Sequence, residues 1–375
     1  EPLWLVPYRG RDFVVDYPPL AMALWRWSWR AVTAAAPDLD HGEAENAAVK
    51  LPAVLGDVAG VALLLALFRA TPRRSLVLAA LYWALPVSWL SSGVLGFLDG
   101  ALAVLVVAAC VAAGRGRAVA AGIALALAAL VKPTALIVAP AVWCALAARR
   151  APPARAIGAG AVVVAASLAP FVVAGTLQTA IVHVYRILFQ GTLSGGFPNP
   201  WWLIGHVLTV VRDGAPVLGP VRFARLDLLA FPARPVGTLL FAAAAVLVWR
   251  SQRGRAGATP AVAAGALLVL AYGVCAVGVH ENHPHPLFLL LCATGLATAR
   301  LRLLAAGCAL VYVANMLALS GIGRFYGSRY AVLEPLARAA ASFRMALGFD
   351  VTLLLALLQI ALFVWALARP PENTE

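Results

Sequence analysis

The sequence predicts an all-α, polytopic transmembrane helical bundle, and three observations carry that reading. Of its 375 residues, 63% are hydrophobic and only 12% charged, where ordinary soluble domains carry about 25%. Mean hydropathy is +0.88, so the chain needs lipid as its solvent. The arginines fall in short breaks between apolar runs, as membrane topology signals do. The formal charge of +13 therefore reads as topology, and no nucleic-acid partner is expected. The five cysteines (Cys110, Cys144, Cys275, Cys292 and Cys308) all lie inside apolar runs without metal-ligand spacing, which argues for core residues over a disulfide framework or a zinc site.

A helix that crosses a bilayer needs about 20 mostly apolar residues, fewer where protein shields it. Eleven stretches qualify: 48–68, 75–92, 99–113, 118–131, 133–148, 156–175, 235–249, 256–279, 284–299, 303–323 and 351–368. Alternating them collects 14 of the 29 Lys and Arg into very short connections on one side (Arg69–Arg74, Arg115–Arg117, Arg149–Arg155, Arg250–Arg255, Arg300–Arg302 and the tail from Arg369). The acidic residues there are Glu372 and Glu375 alone, and the excess of positive charge marks the cytoplasmic side. Span 48–68 then runs from outside to inside. That parity leads us to expect one more span upstream of Glu1.

Organisation follows from the same alternation. Residues 1–47 form an extracytoplasmic loop with an interfacial helix, and 48–175 a first set of transmembrane helices. An extracytoplasmic loop with interfacial helices follows at 176–234, then transmembrane helices at 235–323. A third extracytoplasmic loop spans 324–350, and 351–375 is the last transmembrane helix with a cytoplasmic tail. The three loops mix aromatics with Arg, Asp and Pro (Trp25, Trp27, Trp29; Trp201, Trp202; Phe325, Tyr326, Tyr330). They suit an aromatic belt and equally a binding site over the bundle.

Polar residues within or beside membrane spans are costly and usually functional. Five places stand out, all on the outer side. Asp16-Tyr17-Pro18-Pro19-Leu20 precedes an aromatic amphipathic stretch; its prolines suit a helix start, whereas nothing local requires the carboxylates of Asp12 and Asp16. Lys50-Leu51-Pro52 precedes Asp57, which reads first as a structural partner of a neighbouring helix. Asp99, after Gly96-Phe97-Leu98, opens a helix, where the macrodipole favours an acid. Lys132-Pro133 interrupts a long uncharged run; a mid-membrane cation costs about 2.5–3.5 kcal/mol, and a cation at the outer mouth suits an anionic group such as phosphate. The strongest place is His280-Glu281-Asn282-His283-Pro284-His285-Pro286. His280 and His283 could share a helical face as metal ligands, but the prolines break regular geometry, so contacts to a polar, negatively charged ligand are the better expectation.

Taken in this order, these motifs resemble the GT-C superfamily of membrane glycosyltransferases. The likeness is greatest to the dolichyl-phosphate-glucose-dependent glucosyltransferases of asparagine-linked glycan assembly and their bacterial mannosyl- and glucosyltransferase relatives. Asp16-Tyr17-Pro18-Pro19-Leu20 looks like the family's DYPP segment, and Leu51-Pro52 with Asp57 is similar to its second helix. Asp99 sits where relatives carry Gly-Gln-x-Asp, and Lys132-Pro133 resembles their Lys-Pro. Phe197-Pro198-Asn199-Pro200-Trp201-Trp202 looks like an Asn-x-Trp loop, and His280-Glu281 matches the start of a His-Glu-Lys or His-Glu-Arg motif. The resemblance covers about residues 8–300.

It implies transfer of a hexose, with inversion, from a polyprenyl-phosphate sugar to a glycan or lipid-linked acceptor. The setting would be a bacterial cell membrane, or the endoplasmic reticulum in a eukaryote, with the site on the extracytoplasmic side. Catalytic carboxylates within the sequence would be Asp16 and Glu281, since the family's own base lies in a loop upstream of Glu1. Substrate would be bound by Lys132, His280, His283, Asn282, Asp99, Asn199, Trp201 and Tyr17. The family's basic third motif residue is Asn282 here, so Lys132, His280 or His283 must supply the charge opposite the phosphate. No metal site is expected and no cofactor is firmly implied, although the chemistry leaves room for a divalent cation. Membrane lipid is the other partner. The rival expectation is a transporter or flippase for a polar lipid, which would place charges near mid-bilayer in symmetric halves.

Overall fold

The computed structural model describes residues 5–8, 11–14, 17–188, 191–229, 231–319 and 342–368. Strands β1 (Leu5–Tyr8) and β2 (Arg11–Val14) pair antiparallel as one short hairpin, and the architecture is otherwise helical, consistent with the all-α membrane class expected. The helices that follow are α1 (Pro19–Ala35), α2 (His41–Leu67), α3 (Pro72–Ala84), α4 (Pro86–Ser88), α5 (Asp99–Gly114), α6 (Ala118–Val131), α7 (Ala139–Ala148), α8 (Pro153–Val173) and α9 (Leu177–Leu188). The second half holds α10 (Pro200–Asp213), α11 (Ala233–Gln252), α12 (Ala258–Cys275), α13 (Pro286–Ala293), α14 (Ala299–Leu319) and α15 (Val351–Ala368).

The chain is an integral membrane protein. Among the described residues, six helices (α2, α8, α11, α12, α14 and α15) are long and apolar enough to cross a membrane. A seventh span results if α3 is joined to the stretch Pro86–Val94 across its 44° bend. The eleven spans expected from hydropathy are not supported. Helices α5 and α6 have 16 and 14 residues, about 24 and 21 Å at 1.5 Å per residue, against a hydrocarbon core of about 30 Å. The expected span 284–299 contains only α13, whose eight residues are all buried. A run enclosed by other helices is as apolar as one facing lipid, so hydropathy counts both.

Helix α12 forms the axis: 78% of its span window is buried, against 6% for α8, whose Ile157, Val162 and Val173 remain exposed. Around α12 pack α5, α7, α11 and α13, and α5 in turn packs on α2 and α6. The arginine-rich turns gather at one end, where Arg74 donates to the Gly295 carbonyl (2.9 Å) and Arg149 to that of Gly114 (2.8 Å). The opposite end collects the start of α5, the end of α6 and the connection between α12 and α13.

That second end is roofed by residues 191–229. Gly195 and Phe197 donate to the Val279 carbonyl (2.9 and 3.3 Å), and Gly278 returns a bond to the Leu193 carbonyl (2.9 Å). Asp350, before α15, anchors the far side: its carboxylate accepts from Arg344 Nε (2.8 Å), the Val221 N–H (2.7 Å), and the N–H and hydroxyl of Thr352 (3.0 and 2.6 Å). Burial alone would raise this carboxyl, but those donors hold it below its ordinary value. A depressed carboxyl contributes stability that is complete above its unfolded pKa of about 3.9 and fades as pH falls through the folded value. Asp350→Asn is therefore expected to cost about 1.5–3 kcal/mol at neutral pH and to flatten the acid side of a melting-temperature-versus-pH curve. An unchanged curve would show the network to be inert.

Candidate functional site

The site is built on Asp99. It is the first residue of α5, and its carboxylate takes partners from elsewhere in the chain. Lys132 Nζ donates to Oδ1 and Asn282 Nδ2 to Oδ2, each at 2.8 Å. Lys132 ends α6 with an extended backbone, φ −156° and ψ 123°, as the proline after it demands. The cation at the C-terminus of α6 and the anion at the N-terminus of α5 both suit their helix dipoles. Asp99 is fully buried, whereas 11% of the Lys132 side chain remains accessible. One of three ammonium donors serves Asp99; the opening side of the group is where an anion would reach it.

The connection between α12 and α13 splits by orientation. His280 and Glu281 flank the opening with 35% and 20% of their side chains exposed, Nδ1 of the former 4.0 Å from Oε2 of the latter. His283 packs behind: the His280 N–H donates to its Nδ1 (3.4 Å), and the Tyr272 hydroxyl lies 3.4 Å from the same atom. His285 points inward, its Nε2 3.6 Å from Asp57 Oδ1, an oxygen that accepts a hydrogen bond from the Tyr82 hydroxyl (2.6 Å). Asp57, Tyr82 and His285 are all buried. The structural pairing expected for Asp57 is present: α3 supplies Tyr82 and the connection before α13 supplies His285, partners that only the fold identifies.

Electrostatics separate the roles. Burial lowers the imidazoles of His280 and, much further, His283, and the Lys132 charge adds to both effects. Both shifts favour the uncharged ring, and Lys132 is the cation best placed to face an anion. Burial raises the Glu281 carboxyl, with its own backbone N–H and Lys132 opposing. Burial also raises the Tyr17 phenol, against Lys132 and with Asp99 and Glu281, which places Tyr17 among the same groups.

Tyr17, Asp99, Lys132, His280, Glu281, Asn282 and His283 therefore converge. Asn199 and Trp201 do something else. Asn199 Oδ1 caps α10 by accepting from the Trp202 N–H (3.1 Å), while its Nδ2 donates to the Gly273 carbonyl (3.0 Å). Trp201 Nε1 donates to the Cys275 carbonyl (2.8 Å). Both satisfy orphan carbonyls at the end of α12 and so hold the roof in place. Asp16, together with Phe325, Tyr326 and Tyr330, lies outside the described residues.

Two glycines complete the roof. A Cβ on Gly195 would stand 2.7 Å from the His280 ring, and Gly196, at φ +101°, lies against the Glu281 carboxylate. Asn315 Nδ2 holds the Gly196 carbonyl at 2.9 Å. No group of three or more His, Cys, Asp or Glu able to hold a metal ion occurs among the described residues. Neither a family model nor a curated protein matches the chain.

Proposed function

We propose that the protein is a GT-C-like glycosyltransferase that moves a hexose from a polyprenyl-phosphate donor to an extracytoplasmic acceptor. What supports the reading is the convergence of one largely buried cation with 11% of its side chain accessible, two imidazoles, an amide and a raised carboxyl at the end opposite the arginine-rich turns. By the charge rule that end is extracytoplasmic. In this mechanism the donor phosphate lies against Lys132, with His280 as a neutral hydrogen-bond donor. Glu281 takes the proton of the acceptor hydroxyl. The freed oxygen attacks the anomeric carbon as the bond to the phosphate oxygen breaks, and the electron pair departs with the polyprenyl phosphate, giving inversion. Charge builds on the leaving phosphate, which a preorganised cation stabilises better than water.

The test is transfer of labelled hexose from polyprenyl-phosphate hexose by membranes containing the protein. Transfer is expected; lipid translocation without transfer would favour a flippase and overturn the proposal. Base function in Glu281 has its own signature. Its raised carboxyl must be ionised to accept a proton, so the rate should fall as pH drops through a value above the ordinary glutamate pKa of about 4.3. Glu281→Gln should lower the rate about 10²–10⁴-fold and abolish that acid limb. A Glu281→Gln protein with the wild-type pH profile would move base function to another carboxylate, Asp16 being the first to test.

A further inference from the structure

At the arginine-rich end, far from the site above, lies a crevice of about 530 Å³ between α3 and the turn joining α13 to α14. Its mouth is formed by Arg73, Arg74 and Arg302, its wall by Val77, Leu78, Leu81 and Leu296, and no acidic residue lines it. Two of the guanidinium groups are held in place by the turn: Arg74 Nη2 donates to the Gly295 carbonyl (2.9 Å) and Arg302 Nη1 to that of Leu296 (3.1 Å). Each guanidinium has five donors, so most remain for a ligand.

The turn itself is unusual. Gly295 and Leu296 are both left-handed, at φ +76° and +48°, and for leucine that conformation is strained. A Cβ at Gly295 would strike the Arg74 guanidinium. The strained turn thus aims two carbonyls at two arginines and keeps their heads at the crevice mouth. The same side of α3 continues into lipid: Val77 is 51% and Leu81 46% exposed, one helical turn apart and within about 10 Å of Arg74 along the axis at 1.5 Å per residue. A cationic mouth over an apolar strip of this length matches a phosphate head group with an acyl chain. A soluble anion would leave the strip unused.

We propose that this crevice binds an anionic phospholipid of the leaflet on the arginine-rich side, its phosphate held by Arg73, Arg74 and Arg302 and one acyl chain laid along α3. The inference is independent of the transferase reading. Basic recesses between membrane helices suit such head groups, each Lys or Arg strengthening attraction.

The test uses the purified full chain in mild detergent, titrated with phosphatidylglycerol, phosphatidylcholine or inorganic phosphate, with melting temperature and native-mass retention of lipid as readouts. Phosphatidylglycerol should raise the melting temperature and remain bound, whereas phosphatidylcholine and inorganic phosphate should do neither. Arg73→Gln removes a guanidinium that makes no hydrogen bond to the turn; it should weaken phosphatidylglycerol binding about fivefold or more and leave the melting temperature in phosphatidylcholine unchanged. Arg73→Lys should retain most of the effect. Equal response to both lipids, an equal response to inorganic phosphate alone, or wild-type binding by Arg73→Gln would each overturn the proposal. So would a dimer that Arg73→Gln dissociates, since a second copy would then occupy the crevice.

Discussion

Lys132→Ala is expected to destabilise the protein by about 3–5 kcal/mol and to abolish the proposed hexose transfer, because a buried ion pair that loses one partner leaves an uncompensated charge. Asp99 is 0% exposed, and Asn282 alone cannot replace the ammonium. Lost activity in this variant would therefore be ambiguous. A neutral pair separates the causes. With Asp99→Asn and Lys132→Gln together, the Asn282 amide can donate to one new carbonyl and the amide introduced at position 99 to the other. Removing both charges together is often near neutral, so the double variant should melt within about 1 kcal/mol of wild type. It should still fail in the proposed hexose transfer, since the cation proposed to face the phosphate is gone. Melting in detergent and transfer from polyprenyl-phosphate hexose are the two measurements. A well-folded double variant with wild-type transfer would end the assignment of Lys132 to the donor phosphate.

Gly56→Val should be the most damaging change outside the site. Gly56 of α2 abuts the backbone of Gly100 and Ala101 in α5, and a Cβ there would overlap both. Across the same interface, a Cβ on Gly100 would stand 2.7 Å from Asp57 Oδ1 and 2.9 Å from the Ala53 carbonyl. Small residues permit such close helix approach in membranes. Backbone obstacles cannot rotate aside as side chains do, so the cost should reach or exceed about 3 kcal/mol, the upper end for overpacking. Separating α2 from α5 would also draw Asp57 away from His285 and shift Asp99 beneath Lys132. Gly158→Ala is the control: a Cβ on this α8 glycine meets nothing within 4 Å, and the change should be neutral or stabilising by about 0.5–1 kcal/mol. Equal losses from the two variants would refute the close-contact account.

Some of this was legible in order alone. Hydropathy is a property of each residue summed along the chain, and it identified a membrane protein without ambiguity. Charge is equally local, which is why the arginine-rich breaks marked one end of the bundle before any fold was known. Asp99, Lys132 and the His280–Glu281 segment stood out because a charged group within an apolar stretch is costly wherever the chain later goes. Hydropathy could not distinguish α13, enclosed by other helices, from a helix that faces lipid, because burial depends on neighbours that come from elsewhere in the sequence. Hence, among the described residues, eleven expected spans became six or seven.

The site shows the same division more sharply. Residue types showed that Asp99, Lys132 and Asn282 were polar; only packing put one carboxylate 2.8 Å from both donors. Three histidines within six residues looked equivalent, yet the fold turns His280 to the opening, His283 against Tyr272 and His285 to Asp57. The lowering of His280 and His283 follows from burial beside Lys132, which no spacing of letters reports. Asn199 and Trp201 looked like ligand-binding groups until the end of α12 presented carbonyls that their N–H groups satisfy. Composition and charge order thus determined the class and one polar end; distance, desolvation and backbone contact, all set by chain segments remote in sequence, decided which residues act together.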